Sequence, residues 1–288
     1  MTRKFLPASL LALLLCLGLL TGCGPDIKVD SVTVATQTAE DDAAPEVASK
    51  TEGTLDLDAF TGIEVAVKAA DIRLEVGKGY AVTYQLHEKE PLKEAEVVDG
   101  VLRFSTGMDP LKLPGGGHWS VVVTVPADAK LEKIQLTTAA GDISFSGLAF
   151  TEGTLDTKAG EILLSGVTCD TLEASAIADD ITISASQIGT LTAENTADDI
   201  EVDGTFNTVQ LHSVSGDCEL HGAVTTEASL ETVSGDIELT CQGGDIQAET
   251  VGEIEHNGSE GRGKLHITGE GASIRLKSVS GSIEIETY

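Results

Sequence analysis

The sequence is short of aromatic side chains, of basic groups and of cysteines. Among 288 residues there are one Trp, three Tyr and six Phe. Aromatic rings supply much of the bulk of ordinary cores, so a core here is thin and aliphatic. Lys and Arg number 18 against 47 Asp and Glu, a formal net charge of −29. Phosphate chains are gripped by clustered Lys and Arg, and a field of this sign repels them, which excludes nucleic acid as a partner. Beyond residue 23 the cysteines are Cys169, Cys218 and Cys241, an odd number that makes no even disulfide framework. Catalytic signatures are missing too, with no Gly-x-Ser-x-Gly elbow, phosphate loop or dinucleotide fingerprint. The six histidines (His87, His118, His212, His221, His256, His266) never fall at His-x-x-x-His spacing. No amphipathic helix of useful length appears. Glycine, by contrast, is abundant at 31 residues, above its usual share of roughly 7%. Many tight turns around a thin core point to an acidic, glycine-punctuated all-β chain.

The first residues read as a targeting signal. Arg3 and Lys4 precede an apolar run from Phe5 to Leu20, broken only by Pro7, Ser9 and Gly18. The run is shorter than the ~20 residues that span a bilayer, and its layout is that of a secretory signal. It ends in Leu20-Thr21-Gly22-Cys23, which resembles the lipobox of bacterial lipoproteins. That resemblance implies cleavage before Cys23 and a diacylglyceryl thioether on its sulfur. Two or more acyl chains anchor stably, whereas one binds only marginally. Residues 1–22 are therefore read as a lipoprotein signal peptide, and 23–53 as the lipidated Cys23 followed by a flexible acidic tether. Thr, Ala, Glu and Asp dominate from Thr33 to Pro45. Such a composition cannot bury enough apolar surface to order itself.

Residues 129–288 are a repeat. A small residue, then Gly or Asp, then an acid, then an apolar residue recurs, as in Ala140-Gly141-Asp142-Ile143 and Ser234-Gly235-Asp236-Ile237. The second positions fall at 141, 160, 179, 198, 216, 235, 252 and 281, so the intervals are 19, 19, 19, 18, 19, 17 and 29. A fixed period of this size in a β-type sequence is the mark of a solenoid. The excess in the last interval is assigned to a loop, Asn257 to Gly263. Apolar residues keep register two and four positions after the second motif residue (Ile162/Leu164, Ile181/Ile183) and seven and five before it (Leu172/Ala174, Val209/Leu211). Spacing of two is strand alternation with one face buried. A looser apolar site follows the motif: Leu148, Val167, Ile188, Phe206 and Val224. Upstream, residues 54–128 alternate in runs such as Ile63–Val67 and Val121–Val125, joined by turn signals such as Asp99-Gly100. This reads as an antiparallel β unit that caps the first coil. The expected fold is all-β, a parallel β-solenoid of about 19 residues per coil preceded by that unit.

The order of an N-terminal β segment, Val123-Thr124-Val125-Pro126, Leu131-Glu132-Lys133-Ile134 and serial Ser/Ala-Gly-Asp-Ile units resembles the putative-adhesin family of bacterial β-strand-repeat envelope proteins, a domain of unknown function. The resemblance covers roughly 55–288 and implies a surface β-solenoid with no established catalytic residues. The chain departs from the motif at Asp179 and Asp198, where aspartate replaces glycine. Aspartate tolerates positive φ, so a left-handed turn can survive there; a changed turn is the alternative.

Seven of the eight motifs carry an acid after the second residue: Asp142, Glu161, Asp180, Asp199, Asp217, Asp236 and Glu253. Stacked carboxylates must be solvated, splayed, bonded to backbone N–H groups or bridged by cations. Calcium bridging, which needs six to eight oxygens, centres on Asp179, Asp180, Asp198 and Asp199. The Gly-Gly-x-Gly-x-Asp calcium nonapeptide is absent. Trp119, beside His118, is the candidate sugar platform, with capping of the core as its alternative. His212, Cys218 and His221 lie within ten residues and suggest zinc, but Cys218 occupies an inward Ile site. The expected protein is a lipid-anchored, extracytoplasmic, non-enzymatic adhesion or interaction surface for an envelope protein or glycan, held on a bacterial membrane through Cys23. A calcium-dependent surface module is its first alternative and a carbohydrate-active β-helix enzyme its second.

Overall fold

The computed structural model describes residues 51–107 and 118–288. Cys23, the signal segment and the tether up to residue 50 lie outside the described residues, as does the Pro110–Gly117 stretch. The described chain is all-β. Its twenty strands are β1 (Glu52–Asp56), β2 (Gly62–Ala66), β3 (Asp71–Gly77), β4 (Ala81–Gln85), β5 (Leu92–Val98), β6 (Val101–Thr106), β7 (Ser120–Pro126), β8 (Leu131–Thr137), β9 (Ile143–Ser146), β10 (Ala149–Asp156), β11 (Ile162–Ser165), β12 (Thr168–Ser175), β13 (Ile181–Asn195), β14 (Ile200–Ser213), β15 (Cys218–Thr232), β16 (Ile237–Cys241), β17 (Gly244–His256), β18 (Ser259–Ile267), β19 (Ala272–Ser278) and β20 (Ile283–Thr287).

Parallel ladders join equivalent positions of successive repeats. On one ladder Ile134, Gly153, Leu172, Leu191, Val209 and Ala228 follow one another strand to strand. On the other, Ile143, Ile162, Ile181, Ile200, Cys218 and Ile237 do the same. Apart from Gly153, which has no side chain, these residues point inward and are buried, as alternation of apolar and polar residues along each strand requires. The third apolar site has a strict register too, but its first two members are Phe150 and Cys169 rather than Leu148 and Val167, followed by Ile188, Phe206 and Val224. Cys169 thus occupies a core position.

Residues 54–128 are mixed rather than antiparallel throughout. β1 pairs antiparallel with β4, β4 with β7 and β5 with β6. But β2 lies parallel between β6 and β8, and β3 parallel between β7 and β9. Ile63 therefore sits beside Ile134, and Ile72 beside Ile143. The ladders run through this segment, and the sequence pattern does not reveal it, because a strand buried on one face alternates identically whichever way its neighbours run. Glu90, fully buried, ties the segment together. Its carboxylate accepts the N–H groups of Lys68 (2.6 Å) and Ala69 (3.2 Å) and the Thr106 hydroxyl (2.5 Å).

The C-terminal repeats do not stack in chain order. β16 pairs with β20, and β20 with the end of β17. On the other ladder β15 pairs with β19, and β19 with the start of β17. The last repeat is thus inserted between the two that precede it. Nor is Asn257–Gly263 a loop. Asn257 (φ 48°) and Gly258 (φ 77°) make a two-residue turn, and β18 returns antiparallel along β17. Both φ values are positive, the geometry for which Asn-Gly is favoured in hairpins.

The motif glycines are required by close approach, not by handedness. A Cβ on Gly160 would lie 2.1 Å from the Gly141 carbonyl oxygen, and one on Gly281 would lie 1.9 Å from that of Gly235. None of these glycines has positive φ, and neither do Asp179 and Asp198; the expected left-handed turn is elsewhere. It falls six residues on, at Gly147 (φ 64°) and Gly166 (φ 62°), with Ala185 (φ 49°) in the equivalent place. A buried hydroxyl three residues before most motif glycines bridges the repeats. Thr157 donates to the Gly141 carbonyl (3.0 Å), Thr232 to that of Gly216 (2.9 Å) and Ser278 to that of Gly235 (2.8 Å). In the aspartate repeats Asn195 takes over, donating through Nδ2 to the carbonyls of Asp179 (2.8 Å) and Asp199 (3.3 Å).

Candidate functional site

The acidic row is largely occupied by backbone hydrogen bonds. The Oδ1 atom of Asp142 accepts the N–H of Glu161 (3.0 Å), and that of Asp180 the N–H of Asp199 (3.2 Å). Asp199 in turn accepts from Asp217 (2.7 Å), Asp217 from Asp236 (2.6 Å), and Asp236 from Ser282 (2.6 Å). Each short carboxylate thus reaches the equivalent amide of the neighbouring repeat. The row doubles where aspartate replaces glycine. Carboxylate oxygens of Asp180, Asp198 and Asp199 lie within 4.8 Å of one another, all exposed, whereas Asp179 is not part of this group.

A second cluster was not legible as a unit in the sequence. Glu219 and His221 project from the same face of β15, and Glu238 is the direct neighbour of Glu219 on β16. The His221 Nε2 atom stands 3.8 Å from a carboxylate oxygen of each. His212 lies on the other ladder, paired with Glu194 and Glu231, and Cys218, the first residue of β15, turns its side chain into the core and is fully buried. The structure therefore does not assemble the zinc trio considered from sequence. Burial pushes the Cys218 thiol up to about 12, opposed by the Ser213 backbone; Cys169 is pushed up to about 12 by burial, aided by Asp170. Both thiols stay protonated and poor as ligands or nucleophiles.

Several carboxyls are held above their ordinary values. Burial is the first cause at Glu161, followed by the charges of Asp142, Asp180 and Asp179. At Asp198 the Asp180 charge comes first, then burial, Asp199 and Asp179, against one backbone N–H bond. Glu219 is raised by burial, Glu238 and Glu201, with His221 opposing. Glu284 is raised by burial, Glu238, Glu255 and Glu286. A carboxyl raised in the fold binds its proton more tightly there than in the unfolded chain. Its ionisation opposes folding at neutral pH, and that opposition fades as pH falls through the folded value toward the ordinary 4.5 of Glu or 3.8 of Asp. The thermal midpoint should therefore rise as the buffer is taken from neutral pH down toward the ordinary carboxyl values, and added salt at neutral pH should raise it too. A midpoint that falls steadily over that range contradicts this account.

Trp119 is half-buried and packs against the hydrophobic core, its ring edge-on to His87 at 4.8 Å between centroids. Its carbonyl accepts the Asp71 N–H at 2.9 Å.

The fold and this geometry define an all-β protein of stacked strand repeats with a densely acidic surface. Residues 60–286 match the family described as Toastrack DUF4097, and the chain belongs to that family. No curated protein matches it. Among solved structures it is similar to a putative adhesin from Bacteroides fragilis, with 16% identity, a TM-score of 0.46 and coverage of 83% of this chain and 98% of the other. It is also similar to a putative lipid binding protein from Parabacteroides distasonis, with 17% identity, a TM-score of 0.47 and the same coverage. A putative adhesin from that organism gives 14% identity, a TM-score of 0.46 and coverage of 82% and 96%.

Proposed function

We propose that the protein is a lipid-anchored, non-enzymatic module of the bacterial cell envelope, whose strand repeats wind as a β-solenoid of about 19 residues per coil and present a binding surface. One observation carries this reading. The recurring positions of the repeat are consumed by construction: apolar residues fill the ladders, glycines permit close approach, hydroxyls bridge repeats and the acids accept backbone N–H groups. What varies from repeat to repeat is the outward surface. The lipobox at Cys23 supports anchoring, and the acidic tether supports display away from the membrane. Fractionation of cells expressing the full chain tests the anchor. The native protein should partition with membranes and its Cys23→Ser variant should not; membrane retention of the variant contradicts the lipid anchor. A glycan array combined with product analysis tests the rest, since binding without cleavage agrees with this reading and cleavage overturns it.

A calcium-dependent module is the second reading, favoured by the convergence of Asp180, Asp198 and Asp199. Asp180 and Asp199 each use one oxygen on a backbone N–H and keep the other for an ion, and Asp179 adds charge nearby. Calcium at 100 times its dissociation constant should stabilise the fold by ~2.7 kcal/mol. An unchanged thermal midpoint in millimolar calcium removes this reading.

A further inference from the structure

Between Lys158 and Arg262 the chain contains no Lys or Arg, and then Arg262, Lys264, Arg275 and Lys277 follow within one hairpin and the next strand. The inserted last repeat brings three of these onto one face. On β17, Gln247 is flanked by His266 of β18 and Arg275 of β19, and Glu249 by Lys264 of β18 and Lys277 of β19. The six side chains form two rows across three strands, about 4.8 Å apart, and line an open depression of about 480 Å³. Two of the carboxylates nearby already have partners. Glu249 is bound by Lys264 at 3.0 Å, and Asp245 by His266 at 3.0 Å. Glu231 of β15 lies beside Lys277 in register. Among the described residues neither Arg275 nor Lys277 has a carboxylate within 4.0 Å, and both are exposed.

We propose that this depression is a binding site for a small oxyanion, a carboxylate, sulfate or phosphate group, held by Arg275 and Lys277 with Gln247 as a neutral hydrogen-bonding partner. The inference rests on the reading of the protein as a binding module and gives it a ligand class. Arg275 offers a planar fork matched to an oxyanion and Lys277 a point charge. The acidic surface around the site repels extended polyanions, so the fit is to an isolated anionic group, either a free ion or one borne by a single acidic sugar unit.

Titration calorimetry of the full chain at low salt, with sodium sulfate in one arm and a singly sulfated disaccharide in the other, tests the site. Saturable 1:1 binding is expected in at least one arm, weakening as salt is added. Tighter binding of the disaccharide identifies a glycan-borne anion, and equal binding identifies the free ion; both support the site. The R275Q/K277Q variant, changed only at exposed positions, should lose affinity at least tenfold with an unaltered circular dichroism spectrum. A control variant, Lys130→Gln, lies outside the depression and should bind as the native protein does. Absence of saturable binding in both arms, or equal binding by the double variant, overturns the proposal. Because anchoring is read out separately by fractionation, failure here leaves the Cys23 result standing.

Discussion

Phe206→Ala should destabilise the folded chain by about 3–5 kcal/mol, the usual cost of deleting a buried phenyl ring. The side chain is 1% exposed and stands in the third apolar ladder between Ile188 and Val224. With so few aromatics in the chain, no neighbouring ring can swing into the void. The backbones on both sides are pinned by ladder hydrogen bonds and cannot collapse onto it. For a domain of this size the thermal midpoint should fall by roughly 10 °C. Phe206→Leu keeps most of the volume and should cost less than ~1.5 kcal/mol. Equal losses for the two variants would mean that the ring does not fill its place in the third ladder.

Gly235→Ala should cost roughly 3 kcal/mol, the upper end for forcing a methyl group into closed space. The added carbon would stand 2.0 Å from the Gly216 carbonyl oxygen, 2.4 Å from its carbon and 2.9 Å from the Asp217 nitrogen. All three are backbone atoms, so no side chain can turn away. Moving the Gly235 turn off Gly216 drives its own carbonyl toward Gly281 on the other side. The same shift stretches the Thr232 hydroxyl bridge, which joins the Gly216 carbonyl at 2.9 Å to the Gly235 N–H at 3.1 Å. Gly79→Ala is the contrast: a Cβ there meets nothing within 4 Å, and the change should stay within ~0.5 kcal/mol. Chemical denaturation of both variants distinguishes close packing of the turns from a mere preference for glycine.

The inward positions were legible because alternation of two nested in a period of 19 leaves few alternatives. Ile181 and Ile200 align in sequence and pair in the sheet. The order of the last repeats was not legible. The turns at Gly235, Gly252 and Gly281 are nearly interchangeable, so local sequence does not say which stacks on which. Asn257-Gly258 carried a readable hairpin signal, and its recognition would have extended the supposed loop into β18. The hydroxyl bridge was readable as well, from Thr157, Ser213, Thr232 and Ser278 each three residues before a motif glycine. The glycine at the turn has a steric cause that composition cannot distinguish from a conformational one; only the carbonyl beneath each Cβ position reveals it. For the candidate site, the acids were visible one by one. The grouping of Asp180 with Asp198 and Asp199, and of Glu219 with His221 and Glu238, depends on which strands lie side by side.

The insertion of the last repeat places Arg275 and Lys277 against β17, and with them the proposed binding face, so it is the claim to test most directly. Glu238 pairs with Glu284, and Glu284 with Glu255. Cysteines at 238 and 284 would sit on adjacent strands, about 4.8 Å apart, inside the range that a disulfide spans. Cysteines at 238 and 255 would be two strands apart, roughly 9.6 Å, and outside it. Under mild oxidation, peptide mapping should find the bridge in Glu238→Cys/Glu284→Cys and not in Glu238→Cys/Glu255→Cys. A bridge in the second variant and none in the first would mean that the repeats stack in chain order, and would contradict the account.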